Sequence, residues 1–229
     1  HPRVRGGTDC TKYGVKAAAG ASPRARGNPC KWWPARRGTR TYSSASMARP
    51  ASSKLVDLLE GAFTAVDVEI SSRSPLTICS VGAARFRSGV ETGSFYSPVR
   101  VTGRMRFGRI HGLTHADVAA APQWATVWQD LVRFIGSVRV YVAFNATFDR
   151  GAILTMCARH GIRPPPMRFV CAAALAEACL ERRLDLPSAA AALGLTFPGR
   201  HHDALADARA AGAVAVKCAE LRALRSREA

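Results

Sequence analysis

Three groups of polar residues stand at spacings that could do chemistry. Asp67 and Glu69 lie two apart in Phe63-Thr64-Ala65-Val66-Asp67-Val68-Glu69-Ile70. On an extended strand such residues share a face, so both carboxylates could grip a cation through hard oxygen ligands. Burying two unpaired carboxylates is costly, and the plainer alternative is a strand end with a solvated acidic face. Asn145-Ala146-Thr147-Phe148-Asp149 falls where a strand pattern gives way to a helix. In open α/β sheets that is the crevice where ligands bind, although helix capping by Asn145, Thr147 or Asp149 would explain the same residues. In His201-His202-Asp203-Ala204-Leu205-Ala206-Asp207-Ala208-Arg209, Asp203 is a natural helix cap and Asp207 lies one turn further in, beside small residues. A His before a helix and an Asp in its second turn can face one pocket; a solvated helix start with an Asp-to-Arg surface pair is the alternative.

The surrounding pattern predicts the elements that must hold these groups. Residues 63–70 read as a strand, followed by strands over Ile78–Phe86 and Gly93–Val101 with Arg87-Ser88-Gly89 as a turn. Three consecutive short strands imply an antiparallel meander. Thr114 can cap a turn through Val118, and Pro122 can open a helix in which Trp124, Val127, Trp128, Leu131 and Phe134 recur at steps of three or four. Val138–Phe144 returns to strand, and a helix runs from about Phe148 to His160, ending at Gly161. After Pro164-Pro165-Pro166 come a short strand near Met167–Cys171, an Ala-rich helix, a helix near Pro187–Leu193 and a last helix from Asp203 to about Arg225. Strands first and alternating β and α afterwards imply one mixed α/β sheet flanked by helices.

The chain has 229 residues with 33 Lys+Arg against 16 Asp+Glu, a formal charge of +17 that points to a polyanionic partner. Residues 1–50 hold eleven Lys/Arg and one acid, Asp9, for +10; the rest carries +7. That first segment lacks helical or strand period, so a disordered basic tail over 1–50 and a folded domain over 51–229 are expected, the domain opening with a short helical turn from Lys54 to Gly61. The tail reads as a nucleic-acid-binding arm, an organellar transit peptide, or residues foreign to the mature product, since Met47 offers a start. The seven cysteines lack C-x-x-C spacing and are odd in number, which indicates neither a zinc site nor a disulfide framework. No apolar run approaches the roughly 18 residues of a spanning helix, so a soluble cytoplasmic protein is expected, unless the basic segment directs it to an organelle.

Taken together, Val66-Asp67-Val68-Glu69, Asn145-Ala146-Thr147-Phe148-Asp149 and His202-Asp203-Ala204-Leu205-Ala206-Asp207 resemble the three exonuclease motifs of the DEDDh family. That family includes the proofreading epsilon subunit of bacterial DNA polymerase III, ribonuclease T and oligoribonuclease. The His-x4-Asp spacing matches its histidine subclass, and the likeness extends from about Phe63 to Leu224. It includes Ile110-His111-Gly112-Leu113-Thr114, similar to a segment near the substrate's 3′ end in epsilon-like members.

The resemblance implies a ribonuclease H-like mixed five-stranded sheet and 3′-5′ hydrolysis of phosphodiester bonds assisted by two divalent ions, Mg²⁺ or Mn²⁺, which suit carboxylate ligands. By the family pattern Asp67 would bridge both ions. Glu69 and Asp207 would complete the site on the nucleophile's side, and Asp149 would hold the second ion, partly through water. His202 would be the general base, with His201 one residue out of register. Ile70, His111 and Asn145 would contact substrate. Ile70 and Phe144 depart from the Thr and His that the family often has there, which bears on terminal-nucleotide contacts and on the choice between DNA and RNA.

The expected partner is a nucleic-acid 3′ end, DNA ahead of RNA, in proofreading, repair or end trimming. An exoribonuclease of the ribonuclease T or oligoribonuclease type is the rival, and a non-catalytic nucleic-acid-binding module is the alternative of another class. Association with a DNA polymerase or replisome is implied by resemblance only. Just 22 residues follow Asp207, all in the last helix, and Gln129–Phe134 falls inside an amphipathic helix rather than a clamp-binding peptide.

Overall fold

The computed structural model describes residues 61–228. The expected basic tail, and the helical turn from Lys54 up to residue 60, lie outside them. Strand β1 (Ala62–Arg73), β2 (Leu76–Arg87) and β3 (Val90–Pro98) form an antiparallel meander. Short helices α1 (Gly108–His111) and α2 (His115–Ala119) lead to α3 (Trp124–Ile135). Strand β4 (Val140–Ala143), helix α4 (Ala146–Arg159) and β5 (Arg168–Cys171) follow. Helices α5 (Ala172–Leu180), α6 (Leu186–Ala192) and α7 (Ala204–Glu228) close the chain. The five-stranded sheet has the order β3-β2-β1-β4-β5, with β4 parallel to β1 and to β5. This is the ribonuclease H-like α/β architecture. Among the described residues no helix is long and apolar enough to cross a membrane.

Strand alternation divides the core between the two faces of the sheet. Phe63 and Ala65 of β1, with Ala84 and Phe86 of β2, pack beneath α5, α6 and α7. Val66, Val68 and Ile70 point the other way, against Trp124, Leu131 and Ile153 of α3 and α4. Helix α7 can lie close to the sheet because the face it presents is small: Ala208, Ala211 and Ala215 are fully or almost fully buried. A side chain at Gly212 would overlap the Phe86 ring.

Several boundaries differ from the sequence pattern for identifiable reasons. Strand β3 starts at Val90 rather than Gly93, because Ser88 and Gly89 both take positive φ, +50° and +75°. Such a two-residue turn matches strand twist and pairs the chain immediately, here Arg87 with Val90. Helix α1 was not foreseen, since four residues carry no period. The Thr114 cap is present as a full capping box, with the Thr114 N–H donating to Asp117 Oδ2 at 2.7 Å.

Candidate active site

The site forms where β1 outlasts its neighbour. Parallel pairing of β1 with β4 is made at Thr64–Tyr141 and Ala65–Val142, and β4 ends at Ala143 while β1 runs on to Arg73. From Asp67 onward, one edge of β1 therefore faces a crevice at the carboxyl ends of two parallel strands. Asp67 and Glu69 continue the row of Phe63 and Ala65 on the face covered by α7. The pairing with β2 slips between Glu69 and Ile70 and again between Ile70 and Ser72, and such bulges re-aim side chains at strand ends.

Helix α4 supplies the third carboxylate. Asn145 occupies its N-cap position but makes no side-chain capping bond and is exposed. Asp149, only 2 % exposed, reaches across to β1 instead. Its Oδ1 accepts a hydrogen bond of 3.2 Å from the Val68 N–H, a donor that β4 is too short to satisfy. The fourth comes from α7. Asp203 caps that helix, accepting from Leu205 and Ala206 N–H at 3.1 and 2.9 Å, and this leaves Asp207 free to point at the sheet. Asp207 is 4 % exposed.

Gly82 permits this approach. It pairs with Asp67 across the β1–β2 ladder, and a Cβ there would overlap the backbone of Ala204 and Leu205. A glycine inside a strand signals a close backbone approach; that signal was present in the sequence, but its partner was not.

Carboxylate oxygens of Asp67, Glu69 and Asp207 lie within 4.8 Å of one another. Burial first, and then the Asp149, Glu69 and Asp207 charges, hold the Asp67 carboxyl well above its ordinary value. Glu69 is pushed up to about 8 by burial, then by Asp207 and Asp149, with Arg200 pulling the other way. Burial raises Asp149 to about 7 against the stabilising Val68 N–H. Crowded oxygen donors that resist carrying their own charge are the donor set for a hard divalent cation, which would remove the repulsion that lifts them. The fit rests on that crowding and on ligand chemistry.

Both histidines lie against this cluster. The His202 Nδ1 is 3.8 Å from Glu69 Oε1, and the His202 backbone N–H donates to Asp207 Oδ2 at 3.1 Å. His202 adopts φ +67°, a left-handed conformation uncommon outside glycine, and this turn brings both its backbone and its ring to the site. Burial and then the neighbouring His201 lower the His202 pKa, favouring a neutral ring able to take a proton. His201 stacks on His202 with ring centroids 3.9 Å apart. Its Nδ1 lies 2.9 and 3.2 Å from the two Asp207 oxygens, and because a carboxylate only accepts, that nitrogen carries the proton. Sequence register alone had left His201 at the margin.

The remaining expected residues fall beside the cluster in different ways. Ile70 is 7 % exposed, with its side chain in the core beneath α3 and α4. His111 is 6 % exposed; its Nδ1 accepts from the Leu113 N–H at 3.1 Å and its Nε2 lies 3.7 Å from Cys79 Sγ. Burial lowers the His111 pKa, partly offset by the Ile70 backbone. Phe144 is half-buried, and its carbonyl accepts from Ala173 N–H at 3.0 Å. Arg200, also missed, donates from Nη2 to the Ile110 carbonyl at 3.0 Å and lies over Gly112, which takes φ +80°. It thus ties the histidine loop to α1, and no spacing in the sequence could show that link.

The RNase T family model, described as exonuclease, matches residues 63–215. Among solved structures, the chain is similar to the nuclease domain of 3′hExo, a DEDDh family member, bound to rAMP: TM-score 0.57, 14% identity, covering 72% of this chain and 92% of that one. Exonuclease X in complex with 5′ overhanging duplex DNA gives a TM-score of 0.51 at 18% identity, over 73% of this chain and 93% of that one. E. coli Exonuclease I in complex with a dA16 oligonucleotide gives 0.59 at 18% identity, over 72% of this chain but 42% of that longer one. No curated protein matches by sequence. At these identities the solved structures speak for the fold.

Proposed function

The chain belongs to the RNase T exonuclease family, of the DEDDh type, and from that premise we propose that it is a metal-dependent 3′-5′ exonuclease acting on DNA ends. The observation that carries the reading is the convergence of Asp67, Glu69, Asp149 and Asp207, from three separate elements, at the open end of β1 with His202 beside them. In this reading Asp67, Glu69 and Asp207 would hold one divalent ion, and Asp149 would help to hold the other. When bound, such a pair neutralises charge on the phosphate, makes water a better nucleophile and stabilises the departing oxygen.

The chain's own residues do the rest. His202, held neutral by burial and by His201, takes the proton of the attacking water as its oxygen bonds to phosphorus. The bond from phosphorus to the 3′ oxygen of the preceding nucleotide breaks and that oxygen takes a proton from solvent, releasing a nucleoside 5′-monophosphate and a strand with a new 3′ hydroxyl. Asp207, fixed by the His201 ring and the His202 backbone N–H, keeps base and carboxylates in register. Asn145, exposed at the start of α4, would contact the terminal nucleotide in this reading.

The test is digestion of 5′-labelled single-stranded DNA and RNA of matching sequence with Mg²⁺ and with Mn²⁺, beside the Asp67→Ala variant. Stepwise shortening from the 3′ end, faster on DNA and lost in the variant, is expected. A large preference for RNA would replace the DNA reading with the exoribonuclease one, and full activity in Asp67→Ala would dismiss the site.

A further inference from the structure

Past Glu69 the chain becomes basic. Between Glu69 and Asp117 the sequence holds a single acid, Glu91, against seven arginines. Three of these, Arg73, Arg104 and Arg106, gather where β1 ends and the loop from β3 to α1 returns to it. That loop is tied to the strand by the Arg106 N–H, which donates to the Ser71 carbonyl at 2.8 Å.

Between strand and loop lies a cavity of about 210 Å³, lined by Ser71, Ser72, Thr77, Gly103, Arg104 and Arg106 among others, with no acid in its wall. Three of its hydroxyls already donate into the rim: Ser71 Oγ to the Thr77 carbonyl at 3.3 Å, Ser72 Oγ to the Ser74 carbonyl at 3.2 Å and Thr77 Oγ1 to the Pro75 carbonyl at 3.1 Å. The rim is therefore set, whereas the guanidinium donors are not spent on acids. Arg104 and Arg106 are exposed, and among the described residues neither pairs with a carboxylate. Arg73 is held in place over the Phe107 ring, 5.6 Å from its centre.

We propose that this cavity is a phosphate seat for the strand being degraded, placed one or two nucleotides 5′ of the bond that is cut. The proposal rests on the exonuclease reading for the position of the 3′ end. Ser72 lies three residues along β1 from Glu69, about 10 Å at strand rise, which is of the order of one to two backbone steps of an extended nucleic-acid strand. Acidic site and basic seat then divide the work: one cuts the terminal phosphodiester, the other grips the backbone and keeps the shortened strand in place.

The experiment uses the full chain and the double variant Arg104→Gln/Arg106→Gln, with Arg104→Lys/Arg106→Lys as the charge-preserving control. Two readouts are taken: fluorescence anisotropy of a labelled oligothymidylate across a salt series without divalent metal, and hydrolysis with Mn²⁺ of that oligomer and of the p-nitrophenyl ester of thymidine 5′-monophosphate, which has no upstream phosphate. In the Gln variant, oligomer affinity should fall about tenfold or more and the log–log salt slope should shrink by about one per arginine removed. Turnover of the ester should stay within about twofold, and the Lys variant should keep most of the slope. Unchanged affinity and slope in the Gln variant would overturn the seat. A wild type that binds the oligomer but hydrolyses neither substrate would fail the exonuclease reading, while anisotropy would still decide the seat.

Discussion

The two halves of β1 are one continuous strand with opposite physics. From Phe63 to Val66 it is packed on both faces and, at Thr64 and Ala65, paired on both edges, with Phe63 stacked on Phe86 at 4.8 Å between centroids. From Asp67 to Arg73 it loses β4, slips register with β2 and carries first acids, then serines and an arginine. The difference teaches where a sheet can hold chemistry. Backbone groups freed by the end of one ladder must find other partners, and the Val68 N–H finds one in the Asp149 carboxylate. The well-packed half anchors the strand; the half-paired end can then hold mutually repelling groups that no core would tolerate.

If the halves are truly distinct, their mutations should separate stability from activity. Asp67→Asn should lower the rate of cleavage by on the order of 10³-fold or more, the scale of several kcal/mol of lost transition-state stabilisation. Without metal it should melt no lower than wild type, because it relieves a crowded charge. Phe63→Ala should do the reverse, costing about 3–5 kcal/mol of stability while cleavage at low temperature stays near wild type. Thermal melts paired with single-turnover rates check both, and a destabilised but active Asp67→Asn would collapse the distinction.

Gly82→Ala probes the contact that joins the halves to α7. The added Cβ would push Ala204 and Leu205 off the sheet and carry Asp207 and His202 with them. A displacement of that kind costs about 10²-fold in rate, with a lowered melting temperature. Retention of wild-type rate would mean that α7 need not approach β2 so closely.

A subtler effect concerns pH. Glu69 near 8 and Asp149 near 7 stand above their ordinary values of 4.5 and 3.8. The folded chain therefore keeps protons that the unfolded chain sheds above about pH 4, and its stability without metal should fall as pH rises from about 4 to 8. Because Mg²⁺ or Mn²⁺ would relieve that repulsion, the gain in melting temperature on adding metal should be larger at pH 8 than at pH 5. A gain independent of pH, measured by differential scanning fluorimetry, would contradict the crowding.

The smallest expected effect is at His201. Its replacement by Ala removes one of two donors to Asp207 and leaves the His202 backbone N–H in place. A loss of about tenfold in kcat is expected, in the range for groups that orient ligands rather than serve as them. Steady-state kinetics checks it, and no loss would reduce the His201 contact to packing.

Much of this could be read in the sequence because it is local. Alternation fixed the faces of β1, the Asp-x-Glu pair followed from period two, and Asp203 as cap placed Asp207 one turn into α7. What escaped depends on distant registers. Gly82 matters only because it pairs with Asp67 and meets Ala204, and Arg200 only because it reaches the Ile110 carbonyl. The arginine cavity joins a strand end to a loop some thirty residues away. Asn145 showed the opposite limit: local logic offered a helix cap, but its side chain makes no capping bond because the turn into α4 leaves it facing solvent.

The central claim is that the open end of β1 is where metal and a 3′ end meet. It is tested most directly by anomalous diffraction from crystals of the chain soaked with Mn²⁺ and thymidine 5′-monophosphate. The account predicts Mn²⁺ peaks among Asp67, Glu69, Asp149 and Asp207 with the nucleotide phosphate against them. Mn²⁺ and nucleotide bound elsewhere, with these carboxylates bare, would contradict it.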